Sequence, residues 1–239
     1  MLFRSVYDME CRLIPLMVAM RRTGVRVDLA RAEEVHAILK EKQLLAQKAL
    51  KEMVGRDINV NAADSLKYAF DKFGIAYSMT KKSKKPSFKK EFLEHLDHPI
   101  GEIVRDIRKY DKLCGTFIQS YILGSHINGR IHCQFHQLRG EGDGTRSGRY
   151  SSSTPNLQNI PSRDEELAPL IRSMFIPDYG HVGWRKYDYS QIEYRKLVHY
   201  AVGPGADVAR KQYNDNPKTD YHEWTLDLVA PKAHWDIST

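Results

Sequence analysis

The run Lys186-Tyr187-Asp188-Tyr189-Ser190-Gln191-Ile192-Glu193-Tyr194-Arg195 constrains its surroundings more than any other stretch of the chain. Ser190 followed three residues later by Glu193 has the spacing of a capping box, in which two side chains each satisfy a backbone N–H at a helix start. The sequence therefore predicts a helix beginning at Ser190. Tyr194, Leu197, Val198 and Ala201 then recur at helical spacing and predict one apolar face. The residues before it read as a short extended run ending at Asp188. A carboxylate at such a junction is held by two rigid elements and can hold a divalent cation. An isolated aspartate near a helix start is more often a cap or a solvated loop residue, so this reading needs a second observation.

That observation lies upstream, in the segment from Ser147-Gly148-Arg149-Tyr150 through Ser151, Ser152, Ser153, Thr154, Pro155, Asn156, Leu157, Gln158, Asn159, Ile160 and Pro161 to Ser162-Arg163. Hydroxyl and amide side chains crowd around two prolines with no usable period, which predicts an irregular path rich in hydrogen bonds. With 239 residues, 41% of them hydrophobic, the chain can bury a real core as one large or two modest domains. The net charge of +7 favours a polyanionic partner. Cys11, Cys114 and Cys133 are scattered and odd in number, which predicts reduced thiols. No apolar run is long enough to span a bilayer, and the start lacks a signal-peptide pattern. No membrane partner is expected, and a cytoplasmic setting is the default.

Along the chain, Val6, Met9, Leu13, Leu16, Met17 and Met20 have helical periodicity, with Pro15 expected to bend or interrupt the helix. Asp28 can cap a long second helix to Met53, with Val35, Ile38, Leu39, Leu45, Ala49 and Met53 on its inner side and Gly55 as its stop. Ala63–Phe73 reads as a short helix closed by Gly74. Ile100–Leu123 reads as one amphipathic helix with Ile103, Val104, Ile107, Cys114, Phe117 and Tyr121 inward and Lys112 outward. Thr80–Lys90 carries six lysines in eleven residues; either a solvated mobile loop or an arm that touches phosphates fits this composition. Gly129–His136 alternates as a half-buried strand does. Its His132 and His136 would lie about 13 Å apart along one face, too far to share a zinc ion.

Taken together, the two stretches centred on Asp188 and on Asn156 resemble, in this order and at this separation, the family A (polymerase I-like) DNA polymerases. The resemblance implies an α+β fold: a helical thumb over residues 1–127 with a basic tip near 80–90, then an incomplete palm over 128–239, an antiparallel sheet with flanking helices. It further implies primer–template DNA and deoxynucleoside triphosphate as partners, with two-metal nucleotidyl transfer to a primer 3′-hydroxyl. Asp188 matches the metal-bridging aspartate, and the backbone carbonyl of Tyr189 a further ligand to Mg2+. Glu193 matches the gate that excludes a ribose 2′-hydroxyl, and Gln191 and Ile192 line the same pocket. His222, in Asp220-Tyr221-His222-Glu223, matches a triphosphate contact, with an ordinary surface histidine as the alternative. Arg149, Asn156, Gln158, Asn159 and Arg163 match positions along the minor groove. There, donors can check pair shape without reading sequence. Lys112 matches a thumb lysine on the DNA backbone, or is simply an exposed helix lysine.

Two departures carry weight. Trp184-Arg185-Lys186-Tyr187 is more polar than the apolar strand expected before the catalytic aspartate. The fingers, the second metal-binding carboxylate and the exonuclease have no counterpart in these 239 residues, so the chain alone is expected to bind DNA without appreciable synthesis. A complementing polymerase half, from a second chain or a longer reading frame, would complete it. The rival reading is a non-catalytic DNA-binding relict.

Overall fold

The computed structural model describes residues 2–81, 83–138, 140 and 144–233. Lys82 and Arg139, and the chain's last residues, are outside that set. The chain divides into two compact units, Met1–Trp184 and Arg185–Thr239. Among the described residues, helices with three small antiparallel two-stranded sheets make an α+β fold. Ile131, Leu167, Ile171 and Met174, all beyond residue 127, share a core with Val35 and Leu39. Among the described residues no helix is long and apolar enough to cross a membrane.

The first helix, α1 (Leu2–Thr23), runs through Pro15 without the predicted interruption. The missing proline N–H orphans only the carbonyl of Cys11, which is exposed, so water can take that acceptor. Of the apolar face read from sequence, Met17 is buried, whereas Val6, Met9, Leu16 and Met20 are exposed. Gly24 (φ +61) turns the chain into β1 (Val25–Arg26), and a Cβ there would meet Ile131 O at 2.6 Å.

Asp28 caps α2 (Leu29–Val54) as predicted, its carboxylate accepting from Arg31 N at 2.9 Å. Gly55 closes the helix in the left-handed region, its N–H reaching Lys51 O. The buried stripe is Ala32, Val35, Leu39, Gln43, Leu50 and Val54. Leu45 and Ala49, read as inward, are exposed. The sequence pattern misleads because a glutamine occupies the core face at position 43. Next come α3 (Ala63–Lys72) and a hairpin of β2 (Ser78–Met79) and β3 (Pro86–Ser87), then α4 (Lys90–Glu94). The described residues around the lysine-rich stretch form a hairpin. Thr80 N donates to Lys85 O at 2.8 Å, Lys84 N to Thr80 O, and Lys85 N to Thr80 Oγ1.

The predicted helix over 100–123 changes winding partway. After α5 (Pro99–Lys112) the chain continues as a π-helix, Leu113–Leu123. Its buried residues Leu113, Cys114, Phe117, Ile118 and Ile122 recur every four to five positions, so the wider winding keeps all of them inward. The predicted single strand is also split. β4 (Arg130–Ile131) pairs with β1, while β5 (Gln134–His136) pairs with β6 (Ser151–Ser153). The segment read as wholly irregular thus contributes a strand, then a single 3-10 turn at Leu157–Asn159. The helix α6 (Leu167–Arg172) completes the first unit's regular structure.

Two cores form along α2. One gathers Ala32, Val35 and Leu39 with the π-helix, Ile131 and α6. The other gathers Leu50 and Val54 with Phe70, Phe88, Leu93, Ile100, Val104 and Ile107. Between them Gln43, 3% exposed, accepts from Lys40 Nζ at 2.8 Å and donates to Asp111 Oδ1, whose other oxygen accepts from Asn61 Nδ2 at 3.0 Å.

The second unit comprises α7 (Ile192–Tyr200), α8 (Ala206–Asp215) and α9 (Tyr221–Ala233). The helix predicted to start at Ser190 starts at Ile192. Gln191, at the N-cap, is left-handed (φ 54, ψ 39), and its side chain makes no capping hydrogen bond. The Gln191 side chain is instead engaged in tertiary bonds described below, which outweigh a local capping box. The residues before Asp188 form no strand. Backbone N–H and C=O groups of a strand need a paired neighbour, and among the described residues this run has none. On α7 Val198 is buried but Leu197 is exposed.

Replacing Gln43 by Ala leaves Asp111 Oδ1 without its partner at the seam between the cores. Chemical denaturation is expected to show a loss of about 1–3 kcal/mol. A change within about 0.5 kcal/mol, the usual size of an inert surface substitution, would show the seam to be dispensable.

Candidate nucleic-acid interface and carboxylate motif

In the first unit, α5 carries Lys109 and Lys112 on its outer face, one helical turn apart. Across from them the chain leaves the 3-10 turn through Ile160-Pro161-Ser162-Arg163. The two elements enclose a cavity of about 550 Å3 lined by Lys90, Lys109, Lys112, Gln158, Asn159, Ser162, Arg163 and Asp164, with Leu113, Phe117, Ile160, Pro161 and Leu167 forming its apolar part. Four of the residues marked in sequence as DNA contacts, Lys112, Gln158, Asn159 and Arg163, thus share one basic groove. Lys112, Gln158, Asn159 and Arg163 are all exposed. The Lys112 ammonium stands 5.8 Å from the Phe117 ring centre.

The groove walls are tied together by an ion pair, Lys109 Nζ to Asp164 Oδ2 at 2.5 Å. Asp164 also caps α6 by accepting from Leu167 N at 2.7 Å. The Lys109 ammonium, and then that backbone N–H, hold the Asp164 carboxyl below the usual carboxylate range. One turn before Lys112, Arg108 donates to Val60 O from Nε (2.9 Å) and Nη2 (2.7 Å), and to Phe88 O from Nη1 (2.7 Å). Burial pushes its guanidinium pKa down. The base of the lysine hairpin is thereby fixed to the helix that carries the groove lysines.

Two other marked residues stand apart from this lining. Asn156 turns inward: its Oδ1 accepts from Ser152 Oγ (2.9 Å) and Gln158 N (3.1 Å), capping the 3-10 turn. Arg149 is exposed, and its carbonyl accepts from Thr145 Oγ1. Sequence reasoning passed over Lys109, although its spacing of three from Lys112 on an outward helix face was a usable signal. Cys133 and Cys114 are buried thiols with raised pKa. The histidines beside Cys133 have ordinary bonds, His132 Nδ1 to Arg21 O and His136 Nε2 to Ser153 Oγ.

In the second unit Asp188 and Tyr189 are exposed. Among the described residues no group of three or more His, Cys, Asp or Glu is placed to hold a metal ion. Asp188 is an accessible carboxylate, a donor that suits Mg2+ when waters or substrate oxygens complete the ion's ligands. Gln191 Oε1 accepts from the Tyr213 hydroxyl and from Tyr221 N, both at 2.9 Å. The Tyr194 ring stacks on Tyr221 at 4.3 Å and 12°, and its hydroxyl lies 3.2 Å from His222 Nε2. Arg195 donates from Nε to Ser190 O and from Nη2 to Pro217 O, over the Tyr213 ring. Ile192 is half-buried and Glu193 exposed. The tyrosines of this cluster were missed in sequence because their partners are brought in by α8 and α9.

The profile of DNA polymerase family A matches residues 30–230. The chain belongs to DNA polymerase family A. Within the family, the DNA-directed DNA polymerase of Pseudomonas phage M6 is 36% identical over 95% of this chain and 37% of its own length. DNA polymerase DpoZ of Salmonella phage PMBT28 is 32% identical over 95% of this chain and 38% of its own. DNA polymerase I of Geobacillus stearothermophilus is 35% identical over 83% and 22%. A solved polymerase domain of Pol1 from M. smegmatis, in complex with DNA primer–template and dNTP, superposes with a TM-score of 0.65 at 27% identity, covering 80% of this chain and 33% of that one. The chain spans less than two fifths of the length of these family A relatives.

Asp164 supplies a pH test of the groove. Its folded-state pKa is depressed, so the stability it contributes is full above the unfolded carboxylate range and is lost as pH falls through its own lower midpoint. Carboxyl NMR is expected to show Asp164 ionised after ordinary aspartates have protonated, and Lys109→Met to raise its midpoint toward the ordinary range. An Asp164 that titrates with the exposed aspartates would contradict the ion pair.

Proposed function

We propose that this chain supplies the DNA grip and the first catalytic carboxylate of a DNA-templated DNA polymerase that transfers nucleotides from dNTP to a primer 3′-hydroxyl. The observation that carries this reading is the convergence of Lys112 on α5 with Gln158, Asn159 and Arg163, from a segment well downstream in sequence, on one basic groove. Lys112 and Arg163 would pair with backbone phosphates. Gln158 and Asn159 would donate into the minor groove, where acceptors are nearly alike for every base pair. The helical portion with its lysine hairpin would act as thumb, and the remainder as part of a palm.

Asp188 and the Tyr189 carbonyl would hold Mg2+, which when bound neutralises charge on the reacting phosphate oxygens. Glu193 would narrow the sugar pocket against a 2′-hydroxyl, with Ile192 beside it, and His222 would donate to the triphosphate. Gln191, with its amide oxygen engaged by Tyr213 and Tyr221, would shape that pocket from behind. Synthesis would need the fingers and a second carboxylate from sequence beyond these residues or from a second chain. The rival reading is a non-catalytic DNA-binding relict, and the presence of both Asp188 and Glu193 speaks against it, since binding alone needs neither.

Lys112→Ala and Arg163→Ala are each expected to weaken binding to a primer–template duplex, and each to reduce the slope of log K against log salt by about 0.9. Unchanged affinity and slope in both variants would remove the groove from DNA binding. Adding the missing polymerase portion is expected to give primer extension that Asp188→Ala abolishes. Folded, associated partners that extend nothing would favour the rival.

A further inference from the structure

The first turn of α7 and the first turn of α9 are joined by more than packing. Gln191 Oε1 accepts from the N–H of Tyr221, the first residue of α9. One turn along α7, the Tyr194 ring lies flat on the Tyr221 ring, and its hydroxyl is within hydrogen-bond distance of His222 Nε2. The Tyr194 and His222 rings meet edge to face, 5.0 Å apart at 85°. Asp220 caps the same turn, accepting from His222 N at 2.8 Å and Glu223 N at 3.3 Å. The backbone of His222 is thus fixed by Asp220 and Gln191, and its ring by Tyr194.

We propose that Tyr194 is a positioning residue that sets the orientation and tautomer of His222 for a triphosphate. A tyrosine hydroxyl donating to Nε2 makes that nitrogen the acceptor, so a neutral ring carries its proton on Nδ1. Nδ1–H is then the donor presented to a phosphate oxygen, and it reaches the ligand with less rotamer freedom to lose on binding. Gln191 serves the same end by holding the backbone that carries the ring. This rests on the reading of His222 as a triphosphate contact given above, and adds to it the group that prepares the contact.

The test uses the 239-residue chain with 15N-labelled histidine at about pH 8, where an ordinary imidazole is neutral. His222→Gln assigns the His222 signals. Wild type is expected to show protonated Nδ1 and unprotonated Nε2 at His222, and Tyr194→Phe to lose that pattern while the other histidine signals stay in place. With inorganic tripolyphosphate as the probe, Tyr194→Phe and His222→Gln are both expected to weaken binding, by about threefold to tenfold. A wild-type His222 carrying its proton on Nε2 overturns the proposal without recourse to any variant. So does a Tyr194→Phe chain that binds the probe as wild type does while His222→Gln weakens it. If His222→Gln itself leaves binding unchanged, it is the triphosphate reading of His222 that fails.

Discussion

The packing of α2 along α5 and its π-helical continuation organises the first unit, because both long elements belong to both cores. α2 gives its first half to one core and its second half to the other, and the facing helix does the same in the opposite order. Where the cores meet, the seam is polar. Gln43 is buried there and satisfied by Lys40 and Asp111. A buried amide so placed costs little while its bonds are made and much if the helices slip, so it favours one register over its neighbours. That register decides which residues of α5 face outward, and Lys109 and Lys112 are among them.

The groove inherits its stiffness from this arrangement. Leu113 and Phe117 lie in its lining and also in the first core, so the wall carrying the lysines cannot move without opening packed surface. The opposite wall is fastened by Asp164, which holds Lys109 with one oxygen and the start of α6 with the other. Basic side chains with long stems are thereby presented from rigid backbone. Such a surface suits a partner held by phosphate charge, since register is set by the scaffold and affinity by the number of contacts.

Sequence reasoning reached the helices that rely on local signals. The Asp28 cap, the Gly55 stop and the α3 helix follow from side chains within a few residues of the feature. It failed where a distant partner decides. Position 43 breaks the apolar stripe of α2 because its partner is Asp111. The residues after Lys112 are wound for a core built from α2 and α6. The Ser190/Glu193 box yields to bonds that Gln191 makes with Tyr213 and Tyr221. Among the proposed contacts, the Lys112 and Arg149–Arg163 matches come from resemblance, and the groove adds Lys109, which resemblance had not marked. Asn156 goes the other way, its side chain engaged in capping a turn.

The central claim is that the groove between Lys112 and Arg163 receives the primer–template duplex. The most direct measurement is site-specific photo-crosslinking to a primer–template. One photoreactive side chain would stand at Ser162, inside the groove, and another at Gln47, on the exposed side of α2. Crosslinks from Ser162 to the duplex near the primer end, and none above background from Gln47, are the predicted result. Equal labelling from both positions, or labelling from Gln47 alone, would contradict the account.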